Sequence, residues 1–442
     1  MRHLTRAARL LPLLALTLVA SCDRARSLVG LPGTATPHER YAASLREAEL
    51  DSTALGTGWL RAAAAALADP VGAELPLLET GYFAADKAGA VGYAFSAERG
   101  RRLTARLEVQ GSPPPRIFFD LFRMADGAAP EHLESADGDS LAWEAADGLT
   151  YLLRLQPELL RSVRYTLTVR DDPALAFPVS GRDSRAIRSF FGAERDSGRR
   201  SHHGVDFFAP RCTAAVAAAD GIFSRVGITP RGGRVVWVRD PRRAANLYYA
   251  HLDSQTVSPG TPVRAGDTIG LVGNTGNAST TPPHLHFGIY VSGRGPVDPL
   301  PWVQARKEPA PVTADTALLG GYVRSRGALG LRASPTGRAP ADRVLPNASI
   351  VRAVGASGRW YRVATDDGGS GYLRASDLRA AATPLRRERL AAETPLRDRA
   401  DPAAAVVATL PSGSRVAVLG RSRGFLLVRP TEGVPGWIAE PS

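Results

Sequence analysis

Apolar side chains recur at every second position through much of this chain, and that alternation confines it to a fold built mainly of strands. Leu103, Ala105, Leu107 and Val109 alternate with polar residues, as do Ile117, Phe119 and Leu121. The same holds for Tyr151, Leu153 and Leu155, then for Val163, Tyr165, Leu167 and Val169. Successive side chains of a strand point to opposite faces, so each run presents one apolar face to a core. Turn material such as Gly111-Ser112-Pro113 and Asp137-Gly138 separates the runs. Residues 80–171 are therefore expected to form an antiparallel β-sandwich. Further short strands between Gly-rich turns are expected at 221–227, 234–238, 246–251, 268–272 and 285–291.

The period changes only near the start of the chain. Over 37–70 the spacing is helical, with Tyr41, Leu45 and Ala48 on one face and a second run from Trp59 to Leu67. At 442 residues the chain is long enough for three to five domains. Its C-terminal part carries an internal repeat. Leu331 and Leu396, Leu345 and Leu410, Pro346 and Pro411, and Val351 and Val416 are each 65 residues apart. Trp360 and Phe425, Val363 and Val428, Gly371 and Gly436, and Tyr372 and Trp437 keep the same offset. Such ungapped self-similarity marks two copies of one small strand-rich unit, over 316–380 and 384–442, after a linker at 306–313. The fold class expected is mainly β and multidomain. It comprises a sandwich, a β-rich domain over 178–305 and two small barrels.

The formal net charge of +12 is unevenly placed. Residues 22–300 balance, whereas 301–442 carry 21 basic and 12 acidic side chains. No recognition helix or stripe of interleaved aromatics accompanies this excess, so nucleic acid is not an expected partner. The N-terminus has Arg2, Arg6 and Arg9 before an apolar run from Leu10 to Ala20, too short to span a bilayer and built like a secretory h-region. It ends Val19-Ala20-Ser21-Cys22, which resembles the lipobox of bacterial lipoproteins. The resemblance implies a signal peptide over 1–21, acylation of Cys22, a tether over 22–36, and a place in the cell envelope held to the membrane through lipid. Cys212 is then left without a disulfide partner and is expected as a small buried residue.

Five of the eight histidines fall between positions 202 and 286. His202 and Asp206 form H-x-x-x-D, and His284-Leu285-His286 forms H-x-H. Even spacing puts His284 and His286 on one face of a strand, and His202 and Asp206 likewise if their segment is extended, while Gly204 lets the backbone bend or come close. Two imidazoles and one carboxylate are the donors of a catalytic zinc site that keeps one position for water. With two cysteines in the chain, a four-ligand structural site rich in thiolate is not available.

The run Arg200-Ser201-His202-His203-Gly204-Val205-Asp206-Phe207, then Tyr249-Ala250-His251-Leu252, Gly273-Asn274-Thr275-Gly276 and His284-Leu285-His286-Phe287 occur in that order. They resemble the lysostaphin-type (LytM-like) zinc metallopeptidases that cut peptidoglycan cross-bridges. The resemblance covers about 178–303. It implies Zn2+ bound by His202, Asp206 and His286, with His251 and His284 as an unligated catalytic pair and peptidoglycan as substrate. His203, at an odd offset, is expected as a bystander or outer neighbour of the site. Pro282 and Gly288 stand where the family often has glycine and an acid, and both positions bear on substrate choice. The sandwich is similar to the pre-peptidase domains of secreted bacterial proteases. The repeats are similar to bacterial SH3-like barrels, whose basic charge and exposed aromatics would grip anionic wall material if those aromatics are not simply core. Two other functions fit the same resemblance: a non-hydrolytic regulator that activates a separate amidase, and a wall-binding scaffold.

Overall fold

The structure, a computed structural model, describes residues 35–441 apart from positions 112, 113, 125, 126, 137, 147 and 196. The expected signal peptide, Cys22 and most of the tether lie outside the described residues. Two helices open the fold, α1 (Pro37–Glu47) and α2 (Ala54–Ala68). Thr36 caps α1 in a capping box with Glu39, which satisfies two of the N–H groups that a helix start leaves unpaired.

The helices close one layer of a sandwich. That layer holds Val71–Gly72, Val91–Ala97, Leu149–Pro157, Ile117–Met124 and Glu131–Ser135 in spatial order. Its Leu149–Pro157 strand is buried on both faces from Tyr151 onward. One face meets the second layer through Tyr151, Leu153 and Leu155. The other lies under the helices, where polar groups are paired. His38 Nε2 lies 2.7 Å from Gln156 Oε1, Gln156 Nε2 donates to Trp59 O at 2.8 Å, and Trp59 Nε1 donates to Pro157 O at 2.8 Å.

The second layer, Leu77–Phe83, Val163–Pro173, Arg101–Gln110 and Ser140–Glu144, does not end where the sandwich was expected to end. Leu77–Phe83 pairs antiparallel with Ile350–Ser357 of the first repeat, aligning Thr80 with Ala356 and Gly81 with Gly355. The result is one eleven-stranded sheet shared by both units, and not a barrel hung from a linker. A buried polar cluster sits at the seam. Glu79, with no exposed surface, accepts from Tyr93 Oη at 2.7 Å, Arg362 Nε at 2.8 Å and Tyr372 Oη at 2.9 Å. Arg362 also donates to Tyr165 Oη at 3.0 Å.

The repeat has the offset that the sequence carries. Leu329–Arg332 and Thr394–Arg397, Ala341–Leu345 and Val406–Leu410, and Ile350–Ser357 and Arg415–Ser422 are matching strands 65 residues apart. The bulges match as well, at Leu331/Arg332 and Leu396/Arg397. A Cβ on Gly371 would come within 2.6 Å of the Leu331 side chain, and one on Gly436 within 2.6 Å of Leu396, so both positions require the bare backbone. Of the two readings left open for the repeated aromatics, exposed grip or core, these positions are core. Trp360 and Tyr372 belong to the sandwich core, and Phe425 and Trp437 to the core around the second repeat.

Residues 187–297 form a separate, antiparallel ten-stranded sheet. Val205–Phe208, His284–Val291, Ala245–Gln255, Gly233–Asp240 and Gly221–Thr229 are consecutive neighbours in it. Val205, Phe207, Leu247, Tyr249, Leu285, Phe287 and Ile289 pack beneath them as the core. The domain is fastened to the sandwich by Arg101, which pairs with Asp171 and donates to Pro301 O at 2.9 Å, and by Arg243 on Glu144 at 2.7 Å.

Candidate metal centre

Antiparallel register places Asp206 directly opposite His286, and Phe208 opposite His284. Leu285 and Phe287 turn to the core, so the two histidines turn to the opposite, open face. His202 does not arrive by strand alternation. The strand begins at Val205, and residues 202–204 bend over its start. A Cβ on Gly204 would lie 2.4 Å from Phe287 O and 2.8 Å from the His286 ring, so only glycine admits this approach.

The three donors converge. His202 Nε2 lies 3.0 Å from Asp206 Oδ1 and 2.9 Å from His286 Nδ1, and His286 Nδ1 lies 3.0 Å from Asp206 Oδ1. His202 Nδ1 faces Phe190 O at 2.9 Å, so that nitrogen carries the ring proton and Nε2 of the neutral ring offers a lone pair. A lone pair against a carboxylate oxygen at this distance is unfavourable without a cation between them. One proton on His286 cannot bridge all three atoms. A divalent cation in the triangle does, and two nitrogens with one oxygen suit zinc. Arg195 Nη2 donates to Asp206 Oδ2 at 2.9 Å and to Ser189 Oγ at 2.5 Å, which turns Oδ1 toward the histidines. Burial alone would raise the Asp206 carboxyl, but its contacts with His202 and His286 hold it well below the usual carboxylate range. Burial lowers the His286 imidazole.

His251 and His284 stand beside this triangle. Their ring centroids are 5.1 Å apart, and His251 lies 5.9 Å from His286. His251 has φ +62° at a bulge where the pairing of Ala245–Gln255 with Gly233–Asp240 slips. Tyr249 and Leu252 are both buried in the core, so the residue between them that strict alternation would send inward is turned out into the cleft. His251 Nδ1 faces Thr275 O at 2.8 Å and His284 Nδ1 faces Pro282 O at 2.9 Å. Both carbonyls fix the proton on Nδ1 and leave Nε2 an acceptor. Burial brings the His251 pKa down to about 4, so the ring is neutral at pH 7. Phe208 stacks on His284 at 5.0 Å.

All five side chains line one cleft of about 730 Å³. Trp237, Tyr248 and Tyr290 make an aromatic wall, with centroids 4.4 Å apart for the first two and 5.2 Å for Trp237 and Tyr290. Among the described residues Asp206 is the one acid lining it, against Arg195, Arg200 and Arg231. His203 also reaches this cleft, exposed at its edge. Cys212 is not buried as expected. It is exposed with φ +67°, which is why glycine suits that position. Arg195, Thr275 and Phe208 were not singled out one by one in the sequence. Arg195 comes from a separate hairpin, Glu194–Arg195 against Arg200–Ser201, and no spacing rule ties it to Asp206.

Residues 200–299 match the model of Peptidase family M23. The DD-carboxypeptidase/endopeptidase Mpg of Neisseria meningitidis serogroup B is 39% identical over 101 residues, which are 23% of this chain and 22% of that one. The L-Ala--D-Glu endopeptidase of Bacillus subtilis is 34% identical over 141 residues, 29% of this chain and 43% of that one. The chain thus spans less than half the length of either relative. Among solved structures, the catalytic domain of lysostaphin from Staphylococcus simulans is 31% identical, covering 26% of this chain and 90% of that one with a TM-score of 0.24. This part of the chain is a LytM-like M23 peptidase domain with peptidoglycan endopeptidase homologues.

Proposed function

We propose that the chain is a zinc endopeptidase that hydrolyses peptide cross-links of bacterial peptidoglycan, held in the cell envelope by acylated Cys22. The observation that carries this reading is the mutual approach of His202 Nε2, Asp206 Oδ1 and His286 Nδ1 to within 3.0 Å, with two unligated histidines alongside. Relatives named as peptidoglycan or peptide endopeptidases match 27% and 29% of the chain.

His202, Asp206 and His286 would hold the metal, and Arg195 orients the carboxylate. Zinc held there would supply a Lewis acid that makes water acidic near neutral pH and polarises a carbonyl. His251 and His284, each with Nε2 unprotonated, take the proton released in the attack, return it to the leaving amine and steady the charge on the carbonyl oxygen. The aromatic wall of Trp237, Tyr248 and Tyr290 gives the substrate peptide a surface to lie on. The C-terminal repeats, as SH3-like barrels, serve as spacers or wall contacts. A regulator without hydrolysis, or a scaffold in which the repeats act alone, fits less well, because all five positions are filled.

The purified mature chain, incubated with defined muropeptides, should release shorter peptides identified by mass spectrometry. His286→Ala should abolish release. Release unaffected by His286→Ala, or stimulation of an amidase with no release, would overturn this reading.

A further inference from the structure

The arginines that line the metal cleft are not equivalent. Arg195 is tied to Asp206 Oδ2 and Ser189 Oγ, and so belongs to the metal centre. Arg231 comes from a different wall, the turn joining Gly221–Thr229 to Gly233–Asp240. Its side chain is exposed in the cleft and makes no hydrogen bond, ion pair or ring contact with any described residue.

The main chain beneath that side chain is fixed. Arg231 O accepts from Asn277 N at 3.0 Å, and the next carbonyl, Gly232 O, accepts from His251 N at 2.7 Å. A Cβ on Gly276 would lie 2.3 Å from Arg231 O, and one on Gly233 would lie 2.1 Å from Thr275 Oγ1, so two glycines permit this docking. The turn therefore carries Arg231 one residue from the carbonyl that seats His251, on the wall of the cleft where a peptide would be cut.

A guanidinium is charged at every working pH and presents a planar fork of donors that matches a carboxylate. Among the described residues the one acid of the cleft is Asp206, and it is already engaged by Arg195, His202 and His286. Nothing within the cleft thus competes for Arg231, and the partner it fits must arrive with the substrate. A stem peptide with acidic residues brings free carboxylates beside the scissile bond, whereas a bridge of glycines or an amidated stem brings none.

We infer that Arg231 is a specificity-determining residue: the cleft takes an acidic peptide and seats one of its side-chain carboxylates on the Arg231 guanidinium. The inference rests on the peptidase reading of the cleft and adds which class of peptide enters it.

The test compares L-alanyl-γ-D-glutamyl-meso-diaminopimelate with the same tripeptide carrying its carboxyl groups as amides. Binding is read by calorimetry on the full mature chain carrying His286→Ala, in EDTA, so that neither a metal-bound carboxylate nor cleavage contributes. The acid form should bind about tenfold more tightly than the amide at low salt, with the gap narrowing as salt is added. Adding Arg231→Gln should bring the two forms to within about twofold, and Arg231→Lys, which keeps the charge without the fork, should fall between. Arg234→Gln removes the same charge from a side chain outside the cleft and should leave the preference in place. An unchanged thermal transition shows that each variant is folded. Equal binding of acid and amide, a preference that survives Arg231→Gln, or one that falls as far with Arg234→Gln would overturn the inference. So would absence of binding up to roughly 10 mM. Because the measurement needs no cleavage, failure of the metal-loaded chain to hydrolyse muropeptides would count against the peptidase reading alone.

Discussion

Removing Glu79 should cost the protein more than its single carboxylate suggests. Glu79→Ala takes the acceptor away from three donors, Tyr93 Oη, Arg362 Nε and Tyr372 Oη, at 2.7–2.9 Å. It also leaves a guanidinium that is 5% exposed without its counter-charge. Breaking a buried pair from one side costs about 3–5 kcal/mol, a large part of the roughly 5–15 kcal/mol that holds a domain folded. The second repeat supplies the control, since Leu427 stands 65 residues after Arg362 in a unit whose sheet is not joined to the sandwich. Glu79→Leu combined with Arg362→Leu replaces the pair with apolar groups and should recover about 2 kcal/mol or more of the summed single losses. Urea unfolding followed by tryptophan fluorescence reads this directly, because Trp360 and Trp143 report on the same core. A loss below about 1 kcal/mol for Glu79→Ala, or single losses that simply add, would refute the claim that the sandwich and first repeat are locked together by this cluster.

Three further outcomes are expected. His251→Ala should lower kcat/KM on a muropeptide by about a hundredfold or more while zinc content, measured by mass spectrometry, stays at the wild-type level. Cys212→Gly should raise stability by roughly 0.5 kcal/mol in thermal or urea unfolding. It relieves about 1–2 kcal/mol of left-handed backbone cost and returns about 0.5–1 kcal/mol of unfolded-chain entropy. His38 is held below the usual imidazole pKa by burial, with its ring stacked on Trp59 at 4.6 Å. Near and below pH 6.5 the unfolded chain therefore binds a proton that the folded chain resists, so stability should fall as pH drops through that point. Unfolding free energies of His38→Gln measured from pH 8 to 5 should show a shallower fall.

The strand alternation at Leu103–Leu107 and Val163–Val169 and the 65-residue offset are visible in the sequence because period and repetition survive without knowledge of partners. The even spacing of His284 and His286 carries their shared face for the same reason. The fusion of sandwich and repeat was not legible. Glu79 stands on the inward face of its strand, in phase with Leu77 and Phe83, and the arginine that explains a carboxylate there lies 283 residues away. The double burial of Leu149–Pro157 is equally hidden, since Gln156 reads as an outward residue until α2 is seen above it. Cys212 was misplaced because burial habit says nothing about φ. The turning of His251 depends on a bulge, and the trace it leaves is that Leu252 is apolar where alternation calls for an outward residue.

The most direct test of the central claim is the zinc K-edge absorption spectrum of the loaded chain. It should show one zinc with two imidazole nitrogens and a carboxylate oxygen at about 2.0–2.2 Å and a further light-atom ligand from solvent, with one imidazole lost in His286→Ala. Four side-chain ligands, a sulfur neighbour at about 2.3 Å, or a spectrum unchanged by His286→Ala would contradict it.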